Sequence, residues 1–160
     1  MRDTRREERR HETCEVFTPQ ETVAAMLSKL PDSMFEADKT FLDNSCGNGN
    51  MLVGVLMEKL AHAPEESRCY SSGSAGETLT SCVSEDYVVA CVKSLFGTDM
   101  MEDNIIECRE RLVNIAIESS SNPSDYLEEK LREIVSKQIV CTRMEDWDYE
   151  RWCPDYEKLF

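Results

Sequence analysis

Very little in this chain is basic. Lys and Arg together number 18 against 32 Asp and Glu, a formal net charge of −14 over 160 residues. Phosphate contacts need clustered cations, so the charge argues against a free-standing nucleic-acid-binding surface. Basic side chains cluster only at the start, where Arg2, Arg5, Arg6, Arg9 and Arg10 are interleaved with Asp3, Glu7 and Glu8. Residues 1–12 read as a charged, solvated arm, with contact to a nucleic acid or an acidic partner as the functional alternative. Histidine is almost missing, with only His11 and His62. The eight cysteines (Cys14, Cys46, Cys69, Cys82, Cys91, Cys108, Cys141 and Cys153) include no C-x-x-C pair. That spacing is not that of a zinc site, and no metal is expected. Most of the cysteines sit within apolar strings and read as small buried thiols. No apolar run reaches the length of a membrane span; the longest, Met51 to Met57, contains Gly54. The charged N-terminus has no apolar signal-peptide core behind it. The expectation is a cytoplasmic chain with no membrane contact. No internal repeat is present, and none of the five prolines stands next to another.

What is present is one domain's worth of residues, with 41% hydrophobic and 31% charged content, ordinary for a globular protein. The chain is organised around Phe41-Leu42-Asp43-Asn44-Ser45-Cys46-Gly47-Asn48-Gly49-Asn50-Met51-Leu52. An apolar strand runs into a glycine turn, and the turn opens a helix that is apolar almost all round. This sequence of elements brings backbone N–H groups and a helix N-terminus up to a ligand. Gly47 and Gly49 allow positive φ and close approach. Asp43, at the strand end, is placed to accept hydrogen bonds from a ligand. Cys46 reads as a small turn residue, since no histidine near it in sequence would make it a nucleophile. Leu52 stands where a dinucleotide fingerprint would have its third glycine.

Before this stretch, Thr18, Pro19 and Glu21 have the pattern of a capping box, with Val23, Met26, Leu27 and Leu30 at helical spacing behind it. The first strand is expected at residues 40–43 and its helix to about Leu60. Residues 64–83 are rich in Ser, Gly and Glu and read as an exposed loop. A helix from about Ser84 leads into a second strand ending at Asp99. A third helix carries Ile105, Cys108, Leu112 and Ile115. Asp125 is expected to cap a fourth, carrying Leu127, Leu131, Ile134 and Val135, and a third strand covers residues 138–142. The remainder is aromatic and acidic, with Trp147, Tyr149, Trp152, Tyr156 and Phe160. Alternating strands and helices predict an α/β fold with a parallel sheet, whose ligands bind at the carboxyl ends of the strands. Asp43 and Asp99 both occupy such ends. A carboxylate there can accept from both hydroxyls of a ribose; the plainer alternative is that Asp99 caps the next helix.

Asp43 to Leu52 resembles the first motif of class I S-adenosylmethionine-dependent methyltransferases, and most of all the amino-methylating DNA methyltransferases. Phe17-Thr18-Pro19 resembles the Phe-x-Pro-type motif that precedes the first strand in N6-adenine and N4-cytosine enzymes. Phe96-Gly97-Thr98-Asp99-Met100 resembles their second motif, and residues 138–142 the strand leading to their third. The match is collinear from about Val16 to Thr142. It implies a Rossmann-like methyltransferase domain over residues 13–160, whole or in part, that binds S-adenosyl-L-methionine. The cofactor site it implies comprises Phe17, Thr18, Pro19, Asp43, Asn44, Ser45, Cys46, Gly47, Asn48, Gly49, Asp99 and Met100.

The chain departs from that pattern twice. Arg143 stands where an acid or polar group usually holds the cofactor's adenine amino group, with Glu145 and Asp146 following. The catalytic Asn/Asp-Pro-Pro-aromatic motif is absent; Cys153-Pro154-Asp155-Tyr156 is the nearest string. The resemblance thus implies an adenine-specific DNA methyltransferase of restriction-modification type, with DNA as substrate of the complete system. The missing motif implies that the isolated chain is inactive or weak, its catalytic residues unassigned. The alternative is a non-catalytic cofactor-binding or regulatory subunit, acting with a partner that supplies the catalytic motif and the DNA-binding surface.

Overall fold

The computed structural model describes residues 16–71 and 80–147. The arginine-rich arm, Cys14, the aromatics Tyr149, Trp152, Tyr156 and Phe160, and the string from Cys153 to Tyr156 lie outside these residues.

Helix α1 (Gln20–Leu27) is followed by a 3-10 turn, Asp32–Phe35, and strand β1 (Phe41–Asp43). Helix α2 (Asn50–Ala61) leads through a short turn to an antiparallel hairpin, β2 (Arg68–Ser71) and β3 (Thr80–Val83). Then come α3 (Glu85–Lys93), β4 (Leu95–Asp99), α4 (Glu102–Ser119), α5 (Asp125–Gln138) and β5 (Ile139–Cys141). The main sheet is parallel throughout, in the order β1-β4-β5. The architecture is therefore α/β, a three-stranded parallel sheet flanked by helices and compatible with a Rossmann-like fold. Among the described residues no helix is long and apolar enough to cross a membrane.

Register aligns Phe41 with Leu95, and Gly97 with Ile139. Laterally paired residues of parallel strands point to the same face. Leu95 and Ile139 accordingly enter one core with Leu52, Val55 and Leu56 of α2 and Cys108 and Leu112 of α4. The central strand β4 is buried from Leu95 through Thr98, as expected of a parallel strand covered on both sides. Gly97 lets α2 come down onto it: a Cβ there would stand 2.8 Å from Leu52 Cδ1. Lys59 is fully buried in α2, yet its ammonium is not idle. Nζ donates to the carbonyls of Glu36 (2.6 Å) and Lys39 (2.7 Å), fixing the segment that leads into β1. Burial pulls its pKa down to about 8.

Four local readings differ from the sequence expectation. Pro19, not Thr18, is the N-cap residue of α1, and no side chain caps it. The Thr18 carbonyl instead accepts from Asn50 Nδ2 at 2.8 Å, so this segment is held by a distant partner. The helix also ends at Leu27, and Met26 is 49% exposed while Val23 and Leu27 are buried. That i, i+4 pair meets α2 at Gly54, where a Cβ would stand 2.6 Å from Val23 Cγ1 and 3.0 Å from Leu27 Cδ1. The cap of α5 is Ser124, whose Oγ accepts from the Leu127 N–H at 3.1 Å; Asp125 is the next residue. Finally, residues 64–83 contain β2 and β3 rather than loop alone. Ladder pairing of Cys69 with Cys82 forms there, Ser121 N–H donates to the Val83 carbonyl at 2.8 Å, and the Val83 side chain enters the core, so backbone bonds and one apolar anchor order the ends of this stretch.

Candidate functional site

A cavity of about 570 Å³ opens at the carboxyl ends of β1 and β4. Four segments line it: Val16 and Phe17 before α1; Asn44, Ser45 and Gly47 of the glycine loop; Asp99 to Met101 after β4; and Thr142 to Glu145 after β5. A size of a few hundred Å³ at the strand ends of an open parallel sheet is where such folds take small molecules.

The glycine loop is built from the sheet outward. The Cys46 N–H donates to the Thr98 carbonyl (2.9 Å) and Thr98 Oγ1 to the Asn44 carbonyl (3.0 Å), so β4 holds the loop's first half. Gly47 and Gly49 have φ of +52° and +85°, both in the left-handed region. Gly49 is the N-cap residue of α2, and its carbonyl receives the Val53 N–H at 2.8 Å. A Cβ on Gly47 would meet the Phe17 ring at 3.1 Å, so the aromatic lies directly against the loop backbone. A Cβ on Gly49 would stand 2.4 Å from Cys108 Sγ, so α4 packs against the turn with no room for a side chain.

Asp99 joins the loop to the helix that follows it. Oδ2 accepts from the Gly47 N–H (3.1 Å), while Oδ1 accepts from the Met101 N–H (2.8 Å) and Asn104 Nδ2 (3.3 Å). The Asp99 carboxylate thus holds the start of α4, whose N-cap residue is Met101. It offers about four lone-pair positions and uses three here. Asp43 has a different role from the one expected. It does not line the cavity; Oδ1 accepts from the Ser45 N–H at 3.2 Å, fixing the start of the turn. Burial raises its pKa above the ordinary carboxylate value, the Ser45 amide pulls the other way, and the Asp99 charge adds to the rise.

Of the residues expected at a ligand, Phe17, Asn44, Ser45, Gly47, Asp99 and Met100 line the cavity together. Thr18, Pro19, Asp43, Cys46, Asn48 and Gly49 stand behind them. Cys46 is buried, and its thiol is held protonated by a hydrogen bond with Cys108 and by burial. Asn48 Nδ2 donates to Glu107 Oε1 at 2.9 Å, away from the strand ends. The sequence reading missed Val16, Met101, Thr142 and Met144 as lining residues, and Asn50, Asn104, Glu107 and Arg111 as supports. A polar residue at the first turn of each helix, Asn50 and Asn104, was the available signal. Among the described residues, no group of three or more His, Cys, Asp and Glu side chains is placed to hold a metal ion. Compared with known proteins, the chain matches no family model, no curated protein and no solved structure.

Proposed function

We propose that the cavity binds S-adenosyl-L-methionine, and that the chain is the cofactor-binding part of a DNA methyltransferase-like system. The observation that carries this reading is the convergence of three sequence motifs on one cavity. Phe17, the loop from Asn44 to Gly47, and Asp99-Met100 lie far apart in sequence and line the same space. The residues fit the cofactor's parts. Asp99 keeps a free acceptor position for a ribose hydroxyl. Gly47, with no side chain of its own, lets the Phe17 ring and the loop close on the same space. Met100, 66% exposed, offers apolar surface for a base to cover. When bound, the cofactor supplies an electrophilic methyl group; this chain's residues hold and orient it.

The reaction proposed for the complete system is methylation of an exocyclic amine on a base turned out of a DNA duplex. Nothing in the motifs of this chain orients that amine, and positioning accounts for roughly 7–11 kcal/mol when two reactants must be held together. The net charge of −14 and the absent Pro-Pro motif favour a second reading, a non-catalytic subunit completed by a partner with a basic DNA-binding surface. Calorimetry and thermal shift with S-adenosyl-L-methionine, S-adenosylhomocysteine and NAD test the binding. Heat and a shift with the first two and not with NAD are expected; silence with both would overturn the proposal. Incubation of the isolated chain with labelled cofactor and unmodified genomic DNA should yield no N6-methyladenine or N4-methylcytosine. Robust turnover would overturn the division of labour between this chain and a partner.

A further inference from the structure

A guanidinium on α4 reaches the wall of the cavity without touching it. Arg111 Nη1 donates to the Asn48 carbonyl (2.7 Å) and to Asn50 Oδ1 (2.8 Å). Asn50 then donates from Nδ2 to the Thr18 carbonyl at 2.8 Å. Thr18 follows Phe17, whose ring rests on Gly47 and lines the cavity. Each step is short, and the first is charge-assisted, about twice as strong as a neutral hydrogen bond. The amide of Asn50 is used at both ends, its oxygen by Arg111 and its nitrogen by Thr18. With Oδ1 held by the cation, Nδ2 is fixed in the direction of Thr18. Residues 16–18 have no helix or strand of their own to fix them, and no side chain caps the helix they lead into.

We propose that Arg111 is a positioning residue that sets Phe17 against the glycine loop, acting through Asn50 and the Thr18 carbonyl. The inference rests on the cavity's being a ligand site only for its consequence in binding; the relay itself is a property of the ligand-free fold. Arg111 ties Asn48 and Asn50, 63 and 61 residues away, to α4 with one side chain. Removing it should free the Phe17 segment while the core, built by other residues of α4, stays closed.

The test separates the relay from general loosening. Asn50→Asp keeps the acceptor for Arg111 and adds a favourable charge in the first turn of α2, but has no donor for Thr18. Arg111→Met keeps the side-chain stem and removes the cation. Hydrogen exchange is followed by mass spectrometry in peptides covering residues 16–22, with peptides from α5 as internal control. Both single variants should speed exchange in residues 16–22 by about fivefold or more, roughly one hydrogen bond's worth, and leave α5 unchanged. The double variant should exchange there no faster than Asn50→Asp alone. Wild-type protection in Asn50→Asp, or effects of the two variants that simply add, would overturn the proposal. In parallel, S-adenosylhomocysteine affinity should fall about tenfold in each single variant and no further in the double. If the exchange result holds while the wild type binds no S-adenosylhomocysteine, the relay stands and the ligand assignment falls. If the wild type binds and both variants bind equally well, the relay does not position the site and the inference falls.

Discussion

The cavity has two unlike walls. The loop wall, from Asn44 to Gly49 with Asp99, is cross-tied: Asp99 accepts three N–H groups, Arg111 holds the loop from behind, and α4 presses on Gly49. On this wall Asn48 Oδ1 is the buried side-chain atom left without a hydrogen-bond partner. The other wall, Thr142 to Glu145, continues from β5 and is tied to β4 by the Thr142 N–H bond to the Asp99 carbonyl (3.0 Å), and its side chains reach solvent. Arg143 and Glu145 pair at 3.7 Å while 67% and 70% exposed. The difference separates preorganisation from adaptability. The first wall has its shape before any ligand arrives, so ordering it costs little on binding; the second must lose side-chain freedom to close.

The largest effect should come from Gly49→Ala. At φ +85° a non-glycine residue is strained by about 1–3 kcal/mol. The methyl would also meet Cys108 Sγ at 2.4 Å and Cβ at 3.1 Å, so α4 must shift. Overpacking of this kind costs about 1–3 kcal/mol more. Chemical denaturation should show a loss of about 2–6 kcal/mol, with ligand binding abolished. A loss below 1 kcal/mol would mean that the loop wall is not rigid and would break the comparison. Gly47→Val attacks the same wall from the cavity side. Its strain is similar, but its clash is with the Phe17 ring at 3.1 Å, so the fold should survive while binding is lost.

Asp99→Ala comes next. It removes the acceptor of two backbone N–H groups, those of Gly47 and Met101, in a half-buried place, at about 1–3 kcal/mol of stability. Affinity for S-adenosylhomocysteine should fall at least tenfold. Equal affinity in a folded variant would remove Asp99 from the site.

A smaller effect, of opposite sign, is expected at Asp43. Its folded-state pKa is raised by burial and by Asp99. A carboxyl with a raised folded pKa favours the fold at low pH, and that contribution is lost as pH rises through the folded value. At neutral pH the charge therefore costs stability. Asp43→Asn keeps an oxygen for the Ser45 amide and removes the charge, so it should raise Tm by a few degrees at pH 7. The gain should shrink as pH falls through the raised folded value, and vanish below the ordinary carboxylate range, where Asp43 is neutral folded and unfolded alike. A lower Tm at pH 7 would show that Asp43 is held charged by a partner and that the strand-end acids are not in conflict.

The two walls were also unequally legible in the sequence. Positive φ at Gly47 and Gly49 and the strand-end place of Asp99 follow from short-range rules, because glycine and an acid before a helix have few other uses there. The strand and helix order was legible for the same reason, with apolar period switching at Asp43 and Asp99. What escaped depended on tertiary partners. Thr18 looks like a cap, yet its carbonyl is taken by Asn50, 32 residues away. The hairpin of β2 and β3 has too few apolar residues to signal strands, and forms by backbone pairing. Met101 and Met144 carry no pattern that distinguishes a cavity wall from a surface.

The smallest effect should come from the second wall, at Arg143. The guanidinium and its Glu145 partner are mostly solvated, so their pair contributes about 0–1 kcal/mol net of the entropy of holding two long side chains. Arg143→Ala should change stability by less than about 0.5 kcal/mol, within the range of ordinary surface substitutions. Its effect on ligand affinity depends on whether a ligand engages this wall through charge or through apolar contact. Arg143 only donates and Glu145, ionised, only accepts, so a base edge held by both would lose binding when either is removed. A base that merely lies on the exposed Met100 and Met144 would not. The solvated state of the pair favours the second case, with S-adenosylhomocysteine affinity changed less than threefold in Arg143→Ala and in Glu145→Gln. Raising salt from 50 to 500 mM should then leave affinity nearly constant, since an exposed charge contact would be screened over that range. A tenfold loss in either variant, with strong salt dependence, would show that the β5 wall recognises its ligand as specifically as the loop wall does.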